Sequence, residues 1–191
     1  MPVPSMKETQ EALGPYHAII RSCVDEAWKE WRAVQKFREE NGFGPVLYTR
    51  TPSNYIFDAI ARRAIPRLGA QASVMLKADS QTFKAYINGV LVRFKKGGED
   101  NLGCNWQTQP ALAFEEADWQ FPGFPPETTK DEIIWQPNDI WTQVAQVLVV
   151  ARDGDKLVWE YEMPAVESGA VEPLRIKPMV RPDGTSDLVK P

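Results

Sequence analysis

Residues 82–109 read TFKAYINGVLVRFKKGGEDNLGCNWQTQ, and their reading decides the fold. Asn88-Gly89 tolerates the two positive φ angles of a type I′ turn and sits between runs rich in β-formers, which predicts a hairpin with a two-residue loop. That loop sets the register: Ile87 faces Val90, Ala85 faces Val92 and Phe83 faces Phe94, so one face is wholly apolar. The other face sets Tyr86 against Leu91, Lys84 against Arg93 and Thr82 against Lys95. Two like charges directly opposite cost about 0.2–1 kcal/mol unless an anion lies beside them. A ligand phosphate, a nucleic-acid backbone or a glutamate on a neighbouring strand would each serve, with Glu160 and Glu162 the candidates within the chain.

The alternating pattern extends on both sides. Residues 72–77, 82–87 and 90–95 are expected to form an antiparallel meander, Asp131–Trp135 a further strand and Val144–Ala151 a central one, since Val147-Leu148-Val149-Val150 is apolar on both faces. Asp153-Gly154 turns that strand into Leu157–Met163. Before residue 72 the period is helical. Tyr16, Ile20, Cys23, Val24, Ala27, Trp31 and Val34 mark one helix from Pro15 to the Asn41-Gly42 cap. Ile56, Ile60 and Ala64 mark a second, from Thr51-Pro52 to Gly69, in which Pro66 should end or kink the last turn. Residues 1–13 are expected to fray or form a lead-in turn. The fold class is therefore α+β: two N-terminal helices on one antiparallel sheet of about five strands, as a single domain over 1–163.

Between residues 99 and 130 the pattern fails. The span holds Pro110, Pro122, Pro125 and Pro126 with Trp106, Phe114, Trp119, Phe121 and Phe124, and so long an irregular loop in a domain of this size is a candidate partner surface. Trp119, Phe121 and Phe124 are its candidate contacts. Residues 164–191 are proline-rich, of mixed charge and without periodicity, which predicts a flexible tail.

Composition removes several functions. The net charge of −4 argues against bulk attraction to nucleic acid, so a polyanion site would have to be a local patch. Two cysteines, Cys23 and Cys104, make no disulfide framework, and with no signal-like or spanning apolar run the expected setting is the cytoplasm. A single histidine, His17, rules out two-histidine zinc motifs and reads as a packing residue, because no serine or cysteine motif accompanies it. Phosphate-loop and dinucleotide glycine patterns are missing, and no cofactor is implied. A helix followed by strands resembles a restriction-type nuclease core, but no lysine here follows an acidic residue by two positions. Glu99-Asp100 and Glu115-Glu116, the nearest carboxylate pairs, read as solvated loop acids.

The positive signal is Lys84, Arg93, Lys95 and Lys96 running into Gly97-Gly98, Asn101, Asn105, Trp106, Gln107, Thr108 and Gln109. Glycine amides can converge on an anion, lysines supply charge, and amides with an indole can read or stack a base, so the patch is a candidate anion or nucleic-acid site. The stretch RFKKGGEDNLGCNWQTQ, then FPGFPP, then VLVVARDGDKLVWEYEM, resembles small bacterial proteins encoded beside a helix-turn-helix protein fused to a zinc-peptidase-like domain. Such pairs look like toxin–antitoxin or phage-defence modules. The resemblance implies an antitoxin-like partner and a growth-inhibiting activity, with the small member as toxin, and carries over no active-site residue. Two other readings stand beside it: a nucleic-acid or nucleotide-binding accessory protein using the basic hairpin face, and a non-catalytic interaction module.

Overall fold

The computed structural model describes residues 5–78, 82–103 and 128–165. Helices α1 (Met6–Leu13), α2 (His17–Glu40) and α3 (Arg50–Gly69) precede strands β1 (Val74–Ala78), β2 (Phe83–Ile87), β3 (Val90–Lys96), β4 (Thr129–Pro137), β5 (Val144–Asp153) and β6 (Lys156–Glu162). The six strands form one sheet in chain order. Trp106, Trp119 and the rest of the aromatic loop from residue 104 to 127, like the tail beyond Ala165, lie outside the described residues.

The hairpin stands in the expected register, Ile87 opposite Val90 and Lys84 opposite Arg93, with Asn88 at φ 48° and Gly89 at φ 95°. Phe83 and Phe94 stack at 5.0 Å. The α+β class is as expected, with helices on one six-stranded sheet. Two features depart from the sequence reading. β3 pairs with β4 in parallel, so the sheet is mostly rather than purely antiparallel. The lead-in segment is helical: Ser5 accepts from the Glu8 amide while the Glu8 side chain takes the Ser5 amide, a capping box that satisfies the exposed donors of α1. A 3-10 turn over Gly14–Tyr16 joins α1 to α2. Pro66 lies inside α3 and does not end it, since the helix continues to Gly69.

The helices cover one face of the sheet. Ile20, Val24, Ala27 and Trp31 of α2 and Ile56, Ile60 and Leu68 of α3 join Phe83, Ala85, Ile87, Val92, Phe94, Ile133, Trp135, Val147 and Val149 in one buried cluster. Ile134, Leu148 and Val150 form a second buried cluster from the alternate residues of β4 and β5. Burying both faces explains why β5 is apolar on both sides.

Polar contacts lock α2 to α3. Glu30 receives Tyr55 Oη (2.7 Å), Arg62 (2.6 Å) and Arg63 (2.6 Å), and Glu26 receives Arg63 and Arg67. Partial burial alone would raise the Glu30 pKa, but these three donors outweigh it and hold the carboxyl at about 2. The arginines near the end of α3 thus answer carboxylates of the neighbouring helix, beyond any favourable effect on the α3 dipole.

Because Gly89 sits at positive φ with open space where a Cβ would go, Gly89→Ala meets backbone strain and no clash. It should cost about 1–3 kcal/mol, seen as a lower urea midpoint at unchanged slope; an unchanged midpoint would contradict the turn assignment.

Candidate functional site

The basic patch divides when the strands are laid side by side. Lys77, Lys84, Arg93 and Glu132 form one row across β1 to β4. Arg93 donates through Nε to Glu132 Oε1 at 2.7 Å and makes a second, shorter contact with the same oxygen through a terminal nitrogen. Both side chains are buried. Arg152 of β5 lies 3.7 Å from that oxygen, and the Gly103 amide donates to Oε2 at 3.0 Å. The anion beside Arg93 is therefore Glu132, on the parallel partner strand, rather than Glu160 or Glu162.

The glycine-rich continuation is occupied in the same way. Gly97 N donates to Trp135 O (2.9 Å) and Gly98 N to Leu102 O (2.7 Å), and Gly97 bridges back to Gly103. Asn101, at φ 57°, donates to Glu160 and accepts from Gln136, whose amide also reaches Gly98 O. A Cβ on Gly97 would stand 2.5 Å from Gln136, and one on Gly103 2.6 Å from Glu132, so both glycines are required by close approach. The three glycine amides do not converge on one anion: Gly103 N donates to the Glu132 carboxylate, and Gly97 N and Gly98 N donate to separate backbone carbonyls. Lys84 is buried and Lys95 half-buried on the Arg93 face. Lys96 belongs to the opposite face, with its ammonium 5.3 Å from the Trp141 ring. Asn105, Trp106, Gln107, Thr108, Gln109, Phe121 and Phe124 lie outside the described residues.

On the helix face of the same strand sits a second polar cluster. Asp131 Oδ2 accepts from Thr9 Oγ1 of α1 at 2.8 Å, while buried Oδ1 has no hydrogen-bond partner among the described residues. Burial pushes the Asp131 pKa from 3.8 to about 7, against the Thr9 hydrogen bond and aided by the neighbouring Glu132 charge. Tyr161 is raised by burial and by Asp131, and its hydroxyl meets His17 Nε2 at 3.1 Å. Burial lowers the His17 pKa. His17 is thus a packed, hydrogen-bonded helix residue. Cys23 is buried, its thiol pushed up to about 11 by burial, which makes it a poor nucleophile.

A groove of about 500 Å³ opens at the other end of α2, lined by Trp31, Arg38, Phe43, Val46, Tyr48 and Trp141 among others. Sequence periodicity does not register it, because its wall is the irregular segment from residue 41 to 49. Trp141 is a non-glycine residue at φ 54°. Asn138 enforces that turn: its side-chain oxygen accepts from Thr142 N (2.7 Å) and its carbonyl from Trp141 N (2.9 Å). The indole packs against Trp28 and Trp135.

Among the described residues no three His, Cys, Asp or Glu side chains converge as a metal site, and no helix is long and apolar enough to cross a membrane. The chain matches no protein-family model, no curated protein and no solved structure.

Removing the Glu132 charge leaves Arg93 buried without its partner, so Glu132→Gln should cost about 3–5 kcal/mol in chemical denaturation. Arg93→Met combined with Glu132→Leu should be less destabilising than the sum of the single changes; strict additivity would contradict the pair. Asp131 holds a proton in the folded chain between pH about 4 and 7 that the unfolded chain has released. Stability should therefore fall as pH rises through that interval and level off above it, by up to about 4 kcal/mol. Asp131→Asn should flatten this decline in pH-dependent unfolding, and an unchanged slope would refute the assignment.

Proposed function

We propose that this chain is the effector of a two-protein bacterial module, a toxin-like protein whose cognate partner seats on the groove between α2, the 41–49 segment and Trp141. The observation that carries the reading is the exposure of Phe43 (55%), Leu47 (79%) and Tyr48 (62%) around that groove. Contiguous apolar side chains left in water mark a surface that a partner desolvates, and aromatic residues contribute most to such interfaces. The resemblance carried by residues 93–109, 121–126 and 147–163 supports a dedicated partner and a growth-inhibiting activity.

In the nucleic-acid reading of the hairpin, the Arg93 charge and the Gly103 amide are already engaged by Glu132. A bound phosphate would have to displace a buried carboxylate that already makes these contacts.

Expression of the full chain in bacteria should arrest growth, and co-expression of the protein encoded beside it should relieve the arrest. Leu47→Asp with Tyr48→Asp should abolish that relief while leaving the fold intact by circular dichroism. Normal growth with the folded chain accumulating would overturn the effector reading, and relief that survives the double change would overturn the groove as its docking surface.

A further inference from the structure

We infer that the groove takes a peptide segment presenting an acidic side chain beside an apolar one; this deepens the partner-binding reading and rests on it. The floor supplies the apolar half. Trp31, Val46, Pro52 and Trp141 line it, and an apolar side chain entering the groove would shed water against them.

The rim supplies the charge. Three cations lie against aromatic rings around this one groove among the described residues: Arg38 is 5.8 Å from the Phe43 ring, Arg50 5.2 Å from Tyr48 and Lys96 5.3 Å from Trp141. Arg38 also donates to Gly44 O at 2.8 Å, which anchors the irregular wall. Arg50 and Lys96 make no ion pair among the described residues. A cation held over a ring keeps donors free for an incoming carboxylate while its own position is restricted. Glu39 is the sole acid in the lining. The carbonyl end of α2 lies nearby and would repel an anion, but Asn41 Nδ2 already caps Phe37 O at 2.8 Å.

Trp31, itself buried, closes the groove from below. Trp141 is held in the left-handed region by Asn138, and such strain persists where the surroundings fix a side chain in a required pose. The geometry thus combines an apolar slot and a cationic rim. That combination selects against basic segments as well as favouring acidic ones.

The full chain, immobilised and challenged with a displayed random-peptide library, tests the inference. Enriched sequences should carry Asp or Glu beside Leu, Phe or Trp. A synthetic peptide made from the enriched sequence should bind about tenfold or more weakly to Arg50→Glu/Lys96→Glu than to the native chain. Replacing its acid by Lys should restore binding to that variant. Enrichment of basic or uncharged sequences, or affinity indifferent to the rim reversal, would overturn the inference. If partner-dependent relief of growth arrest persists in that case, docking at the groove stands and the charge assignment alone fails. Acidic peptides bound by a chain that never affects growth would instead leave the groove chemistry standing and remove the effector reading.

Discussion

The contact between Arg93 of β3 and Glu132 of β4 is the constraint on which the rest of the sheet depends. It joins the two strands that run in parallel, and so joins the N-terminal meander to the C-terminal β4–β6 unit. Two unlike charges facing one another in a buried row require the strands to be in one register, because a slip of one residue would put Glu132 on the face opposite Arg93. The Gly103 amide completes the carboxylate's shell, which ties the loop after β3 to the same point. The buried pair is best understood as a register device. Its net contribution to stability is small compared with the cost of breaking one half of it.

That arrangement changes the meaning of the basic strand. Local sequence shows Lys84 and Arg93 opposite each other and glycines just beyond, which is the pattern of an anion site. The pairing of β3 with β4 is non-local and crosses the stretch from residue 97 to 128, so no short-range pattern reveals that Glu132 arrives beside Arg93. The like-charge conflict was legible, and so was the need for an anion. Its source was not, because a parallel neighbour leaves no turn signal in the sequence.

Other parts were readable for identifiable reasons. Asn88-Gly89 admits one turn type, and the Ile20-to-Trp31 spacing admits one helix face. Residues 6–13 were misread as lead-in because their apolar content is low, although Ser5 and Glu8 stand at the capping-box spacing and carried the signal. The groove had no such signal. Phe43, Leu47 and Tyr48 follow neither a helical nor an alternating period, and the left-handed pose of Trp141 depends on Asn138 three residues earlier. Binding surfaces are often carried by irregular segments, and here Leu47 and Tyr48 of such a segment stay exposed.

The central claim is that the three glycine amides at the end of the hairpin are already engaged within the chain, Gly97 by Trp135 O, Gly98 by Leu102 O and Gly103 by Glu132. Titrating inorganic phosphate into the ¹⁵N-labelled full chain at low salt, while following the amides of Gly97, Gly98 and Gly103, tests it most directly. The account predicts no saturable shift at these three amides and slow hydrogen exchange at Gly103. Saturable shifts there, with exchange at Gly103 as fast as in an open loop, would contradict it.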